Sequence, residues 1–108
     1  MNESQLRKGV LDLAVLAILR RAESYGYELS QALVAAGFDD LGDATIYGTL
    51  RRLEQTGLVA SRLVPSNDGP ARKYHSLTPT GSQQLQEGGR RWGELVVVME
   101  RLLEGDTR

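Results

Sequence analysis

The sequence contains no cysteine and a single histidine, His75. Without cysteine the chain has no disulfide framework and no thiolate metal site, and one histidine is too few for an ordinary zinc or heme centre. The sequence therefore predicts no metal and no cofactor. The missing cysteines are compatible with a reducing cytoplasm.

Long apolar runs are missing as well. The longest uninterrupted run, residues 13–19, has seven residues, whereas a membrane-spanning helix needs about 18 or more. The polar start of the chain, Met1-Asn2-Glu3, does not have the pattern of a signal peptide. We therefore expect no membrane segment and a cytoplasmic protein.

Catalytic motifs are also missing. The sequence has no glycine-rich phosphate loop, no nucleophile elbow and no carboxylate pair at a usable spacing. The pair Gly88-Gly89 interrupts a predicted helix instead of following a strand, so it is not a phosphate loop. We therefore expect that the chain is not an enzyme.

The composition that is present is typical of a small globular domain. Of 108 residues, 41% are hydrophobic and 25% are charged, with a net charge of −1. Residues 44–77 carry a net charge of +3, and the rest of the chain carries −4. A domain of this size buries only about 60–65% of its unfolded surface, so a partner chain would add to its stability and a homodimer is favoured.

The first half of the chain predicts three helices. Apolar residues recur at three- and four-residue spacing in residues 5–22 and 26–36, and Gly37 suits the left-handed conformation that ends the second helix. The third helix is predicted to begin at Gly42 or Asp43, to end near Gly57 and to turn three apolar side chains inward, Ile46, Leu50 and Leu53.

The second half predicts a β-hairpin and a long helix. Apolar and polar residues alternate in residues 58–64 and 72–77, which indicates two strands joined by the turn-rich residues 65–70. Thr78 as N-cap and Pro79 at the first helical position begin a fourth helix that runs to about Leu103. This order predicts an α+β, mainly α winged helix-turn-helix: residues 1–77 form the domain, 78–104 a C-terminal dimerisation helix and 105–108 a tail.

The third helix and the hairpin carry the residues that we expect to contact double-stranded DNA. Hydroxyl, phenol and guanidinium groups remain on the third helix after its apolar side is buried, and such groups bond to phosphates and base edges. The basic residues Arg72 and Lys73 of the wing add counterion release, and Tyr27 is expected to reach a phosphate. The candidate DNA contacts of the third helix are Thr45, Tyr47, Gly48, Thr49, Arg51 and Arg52.

Some of these residues also have a purely structural interpretation. Arg51 and Arg52 form a solvated helix face if they pair with Glu54 or Gln55. Tyr25 and Tyr74 are expected to pack with their hydroxyls at the surface. His75 is expected to be an ordinary strand residue and not a metal ligand.

The fourth helix carries an apolar stripe along about three heptads. Leu85, Trp92 and Met99 are seven residues apart. A single helix that projects from a small domain cannot bury such a stripe alone, so a two-fold dimer is predicted, which would present two recognition helices to a pseudo-palindromic operator. The predicted interface residues are Leu85, Trp92, Leu95, Val96, Met99, Leu102 and Leu103.

Several short motifs are distributed along the chain: Leu6-Arg7-Lys8-Gly9, Tyr25-Gly26-Tyr27-Glu28-Leu29, Ala44-Thr45-Ile46-Tyr47, Leu50-Arg51-Arg52-Leu53-Glu54, Gly57-Leu58-Val59, Gly69-Pro70-Ala71-Arg72-Lys73-Tyr74 and Leu77-Thr78-Pro79-Thr80-Gly81. With these motifs, nearly the whole chain resembles the PadR-like family of transcriptional regulators. The sequence departs from the family pattern at Ala44 and Gly48, where the family usually has glycine and proline.

The resemblance implies a homodimeric repressor of the smaller subfamily, which has a single C-terminal helix. It also implies backbone contacts to DNA from Arg7 and Lys8. Some members bind flat aromatic drugs at the dimer interface, which implies a planar aromatic effector. The corresponding effector residues are Trp92, Leu95, Val96 and Met99; the alternative is that Trp92 only supplies packing area to a core or interface.

Two functions of other classes remain open from the residues alone. Winged domains also serve as protein-interaction modules, which would bind a protein and not duplex DNA. A small-molecule binding protein with little DNA affinity is the other alternative, and the departures at Ala44 and Gly48 make it conceivable.

Overall fold

The computed structural model describes residues 10–105, so the expected contacts of Arg7 and Lys8 lie outside the described residues. Helices and strands follow each other in the order of a winged helix-turn-helix, which confirms the predicted α+β, mainly α fold. Their bounds are α1 Leu11–Arg21, β1 Ser24–Tyr25, α2 Gly26–Ala36, α3 Asp43–Gln55, β2 Val59–Ser66, β3 Gly69–Leu77 and α4 Pro79–Leu103.

The helix ends use the residues that the sequence indicates. Gly37 follows α2 with a left-handed φ of 117°, and the N–H of Phe38 donates to the carbonyl of Leu33 at 2.8 Å. Gly42 is the N-cap of α3. At the start of α4, the N–H of Gly81 donates to Thr78 Oγ1 at 2.9 Å, so the predicted N-cap is confirmed.

The core lies where α1, α2 and α3 meet the base of the wing. Burying one large aliphatic side chain contributes about 1.5–3 kcal/mol, so this cluster supplies most of the driving force that holds the three helices together. Its members from α3 are the three residues predicted to face inward. The buried cluster comprises Leu11, Val15, Leu16, Leu19, Leu29, Leu33, Ile46, Leu50, Leu53, Val59 and Leu85.

The wing has three strands instead of the predicted two. All pairs are antiparallel, in the order β1-β3-β2, and Ser24 pairs with His75 while Tyr25 pairs with Tyr74. A strand of two residues is too short to show an alternating pattern, which is why the sequence does not reveal β1. This short strand ties the start of α2 to the wing.

The two long strands also extend further than predicted and leave only residues 67 and 68 as the tip. The predicted turn began at Pro65, a residue that disfavours regular pairing. In the structure the register shifts between Val64 and Ser66, so Pro65 lies at a bulge where no ladder hydrogen bond is needed from it. Turn-forming residues are thereby accommodated within the strands.

Helix α4 begins beside the wing and packs against α1. Its 25 residues correspond to a length of about 37 Å. Leu85, which the sequence assigns to a dimer interface, is only 6% exposed and belongs to the core of its own chain, so that assignment is corrected. None of the helices that the structure describes is long and apolar enough to cross a membrane.

Candidate nucleic-acid interface

A cleft of about 260 Å³ lies between the start of α2, the outer side of α3 and strand β3. Burial of Ile46, Leu50 and Leu53 in the core leaves Tyr47, Arg51 and Glu54 on the side of α3 that lines the cleft. Side chains four residues apart share a helix face. The cleft is lined by Tyr25, Gly26, Tyr47, Leu50, Arg51, Glu54, Arg72, Lys73 and His75.

Three of the predicted DNA-contact cations meet in this cleft, although two belong to the wing and one to α3. Arg51, Arg72 and Lys73 line the cleft together with one acidic residue, Glu54. Lys73 Nζ lies 3.5 Å from Glu54 Oε1. A hydrogen bond from Ser61 and the charge of Lys73 lower the pKa of Glu54. The cleft therefore carries a net positive charge.

An aromatic cluster supports the wing side of the cleft. The guanidinium carbon of Arg72 lies 4.6 Å from the centre of the Tyr25 ring, and Tyr25 packs edge-on against Tyr74 at 5.3 Å. A cation in this position is attracted by the ring and loses rotamer freedom. Tyr27, which is 62% exposed, stacks beside Tyr25 at 6.4 Å. The sequence predicts only a packing role for Tyr25 and does not reveal its contact with Arg72.

The candidates on α3 fall into different surroundings. Tyr47 is 47% exposed and lines the cleft. Thr45 and Gly48 are partly exposed. Thr49, in contrast, is only 5% exposed and its hydroxyl donates to the carbonyl oxygen of Thr45 at 2.8 Å. The assignment of Thr49 to the outer surface is therefore corrected, because its hydroxyl satisfies the backbone of its own helix.

Arg52 turns away from the cleft toward α1. Its two terminal nitrogens lie 2.7 Å and 2.8 Å from the two carboxylate oxygens of Asp12. This bidentate geometry is the strongest form of an arginine–carboxylate pair, although both side chains are about half exposed. Arg51 and Arg52 thus have different surroundings, and no pattern in the sequence pairs Arg52 with a residue 40 positions earlier.

A second, mainly apolar cavity of about 370 Å³ lies between α1, α3 and α4. Trp92 and Leu95 of the predicted effector set line it, whereas Val96 and Met99 do not. Asp12, the partner of Arg52, also lines it. No pattern in the sequence marks Asp12 as a site residue.

The outer half of α4 exposes its apolar stripe. Trp92 is 46% exposed, Leu95 51%, Met99 42% and Leu102 53%. Leu103 is 79% exposed. Exposed apolar side chains at heptad spacing form a contiguous surface of the kind that marks protein interfaces.

His75 is buried at the base of the cleft. It is 5% exposed and its Nδ1 atom has no hydrogen-bond partner. Burial lowers the pKa of His75, a hydrogen bond to the backbone of Ser24 and the charge of Glu54 oppose that shift, and the charge of Lys73 adds to it. Among residues 10–105, no three histidine, cysteine, aspartate or glutamate side chains are grouped so as to hold a metal ion.

The fold and the basic cleft between α3 and the wing place this protein in the class of winged helix-turn-helix DNA-binding regulators. Residues 15–87 match the transcriptional regulator PadR-like family. The chain belongs to this family of transcriptional regulators, which is not a family of enzymes. The resemblance of the sequence motifs is thereby confirmed.

Solved structures and a relative agree with this assignment. A PadR-like regulator from Bacillus cereus has a TM-score of 0.83 at 38% identity, over 92% of this chain and 96% of that one. A PadR-family regulator from Eggerthella lenta has a TM-score of 0.85 at 36% identity, over 93% and 87%. A transcriptional regulator of Mycobacterium tuberculosis is 34% identical over 93 residues, 84% of this chain and 83% of that protein.

The buried histidine predicts a pH dependence of stability. Because burial lowers the pKa of His75 in the folded chain below its ordinary value of 6.5, the unfolded chain takes up a proton first as the pH falls. The free energy of unfolding should therefore decrease as the pH falls from about 6.5 to about 5. This window lies above the pH range in which the carboxylates titrate. Urea unfolding at several pH values measures this decrease.

The control is the variant His75→Gln, which removes the one histidine of the chain. Its absolute stability will differ, but the slope of stability against pH in this window should vanish. An equal slope in the variant and the wild type would contradict the assignment.

Proposed function

We propose that the protein is a cytoplasmic, homodimeric repressor that reads a pseudo-palindromic operator with α3 and contacts the flanking backbone with its wing. The single observation that carries the proposal is the convergence of Arg51, Arg72 and Lys73 around Tyr47 in one cleft. Cations from two separate elements meet there although the whole chain is slightly acidic. This arrangement suits a duplex, which offers phosphates beside base edges.

The contacts divide by chemistry. Arg51 and Tyr47 lie on α3, the element sized for a major groove, and are proposed to contact base edges. Arg72 and Lys73 lie on β3 and are proposed to bind phosphates, with Tyr27, Thr45 and Gly48 at the rim of the same surface. We leave Thr49 out because it is buried, and Arg52 because Asp12 holds it.

The neighbouring arginines provide a matched test of this division. Arg51→Ala and Arg52→Ala each remove one positive charge from adjacent positions of α3. We expect Arg51→Ala to weaken operator binding by about tenfold or more, because it removes a contact at the base edge, whereas Arg52→Ala should lose much less. Titration of fluorescent operator and random duplexes measures both.

Lys73→Ala serves as the comparison for the backbone. It should weaken binding to operator and random duplexes alike. It should also reduce the steepness of log affinity against log salt concentration by about 0.9, the value for one phosphate contact. Equal losses for all three variants on both duplexes would contradict the assignment of α3 to base reading. Absence of any duplex binding would favour a protein-interaction module.

The dimer is proposed from the exposed stripe of α4. Trp92, Leu95, Met99 and Leu102 are each about half exposed in the single chain, at the spacing of a two-helix seam. A two-fold axis along this seam buries the stripe of both copies. It also sets the two α3 helices at a fixed distance, which operator binding requires to be about 34 Å or a multiple of it.

Charge placed on the seam should dissociate the dimer. Met99→Glu places a carboxylate among the apolar seam residues. Val97→Glu makes the same kind of change at a similarly exposed position, which the period of 3.6 residues per turn puts on the side of α4 opposite the seam. We expect sedimentation equilibrium to show a dimer for wild type and Val97→Glu and a monomer for Met99→Glu at micromolar concentration. A monomeric wild type, or equal behaviour of the two variants, would contradict the seam.

Ligand responsiveness is proposed from the cavity between α1, α3 and α4. Leu13, Leu53 and Trp92 form apolar walls, and Asp12 supplies a carboxylate. The guanidinium of Arg91, which also lines the cavity, is paired with Glu87. These features suit a planar aromatic cation. Because the cavity is walled by α1, α3 and α4, a ligand that fills it changes the packing of these helices and shifts the population of recognition-helix positions.

Trp92 is the one tryptophan of the chain, so its fluorescence reports the cavity directly. A planar cationic dye should quench it and weaken operator binding by about 5- to 150-fold, the usual size of allosteric coupling. Asp12→Asn should reduce this coupling. Glu23→Gln, which breaks the ion pair with Arg62 away from the cavity, should leave it intact. Unchanged Trp92 fluorescence at millimolar dye would refute an effector site here.

A further inference from the structure

Gly26, the first residue of α2, is in direct contact with the aromatic ring of Tyr47 on α3. A Cβ atom built on Gly26 would lie 2.4 Å from both Cε1 and the hydroxyl oxygen of Tyr47 and 2.6 Å from Cζ. Real Cβ atoms do not approach other atoms so closely, so the outer half of the phenol ring occupies the space of the missing side chain. Gly26 itself is buried.

Other glycines of the described chain have different surroundings. A Cβ on Gly81 would lie 2.0 Å from the carbonyl oxygen of Leu58, which is backbone and cannot move away. A Cβ on Gly48 or Gly93 would have nothing within 4 Å. At Gly26 the obstacle is the end of a half-exposed side chain, which a methyl group can push aside without unfolding the domain.

Backbone freedom does not explain a glycine at this position. Gly26 is absent from the glycines with positive φ, which are Gly37, Gly57, Gly69 and Gly105 among the described residues. Alanine can therefore adopt the same backbone conformation at the start of α2. The remaining reason for a glycine at this position is the space that the missing Cβ leaves for the phenol.

We propose that Gly26 is a positioning residue for DNA recognition: its lack of a side chain lets the phenol of Tyr47 lie down in the cleft, with its hydroxyl at the first turn of α2. In this position the phenol shares the cleft with Arg51 of its own helix and with Lys73 of the wing. The inference rests on the proposed function, because it requires α3 to contact DNA. It assigns the specificity of that contact to a residue of α2 that offers no side chain to the DNA.

The variant Gly26→Ala tests the proposal. The methyl group should displace the phenol and lower the affinity for the operator by about tenfold or more, with a smaller loss on random duplex, because the displaced hydroxyl would lose the contact that Tyr47 is proposed to make with a base edge. The thermal midpoint should stay close to the wild-type value. Gly93→Ala, a helical position with open space around it, should leave both the affinity and the fold unchanged.

A double-mutant cycle separates positioning from a general effect on α2. In a Tyr47→Ala background the ring is absent, so adding Gly26→Ala should cost no further affinity and no stability. Losses that simply add would overturn the proposal. If Gly26→Ala alone does not fold, the double variant with Tyr47→Ala should fold, because the ring that obstructs the methyl group is absent.

A measurement without DNA tests the contact itself. The ring current of Tyr47 should displace the NMR resonances of the Gly26 methylene protons, and Tyr47→Leu should return them to ordinary values. Absence of this displacement would overturn the proposal. A wild type that binds no duplex overturns the proposed function, whereas a wild type that binds its operator no better than Gly26→Ala overturns the positioning role alone.

Discussion

Burial of Ile46, Leu50 and Leu53 is the constraint on which the recognition surface depends. Each of these side chains is at most 2% exposed, and together they fix the rotation of α3 about its own axis. Once that rotation is fixed, helical geometry brings Tyr47 and Arg51, four residues apart, to one side of the helix. The side chains that α3 is proposed to present to DNA are thus a consequence of which residues the core removes from the surface.

Ion pairs hold two of the basic residues of this region outside the cleft, whereas the other three line it, with Lys73 paired to Glu54 inside the cleft. Arg52 and Arg62 are held by Asp12 and Glu23, both of which precede the recognition helix. Arg51 and Arg72 have no acidic partner among residues 10–105 and line the cleft. Exposed pairs of this kind contribute little stability, about 0–1 kcal/mol each. Their more important effect is to orient two cations away from the cleft and to connect α1 with α3.

The resulting architecture places two sites beside α3. The cleft toward the wing contains the cations, and the cavity toward α1 and α4 contains Trp92. Arg51 and Glu54 line the cleft and Leu53 lines the cavity, so one turn of α3 lies against both sites. A ligand or a partner subunit that changes the packing of α4 on α1 would therefore act on the same segment that is proposed to contact DNA, which is a short physical route for regulation.

Much of the fold could be predicted because its signals are local. Gly37, the Thr78-Pro79 pair and the inward residues of α3 each act within a few residues, and the structure has them as expected. Strand β1, the burial of Leu85 and the pairing of Arg52 with Asp12 depend on residues far apart in the chain. Thr49 was misassigned because a hydroxyl on a helix can bond to its own backbone, which composition does not reveal.

The central claim is that α3 and the wing read a specific operator. The most direct measurement is selection of genomic DNA fragments by the purified protein, followed by titration of the enriched fragment against random duplex at two salt concentrations. The account predicts enrichment of one inverted repeat, bound about 10³-fold or more tightly than random duplex at the same salt. No enrichment, or equal and purely salt-driven binding to all duplexes, would contradict it.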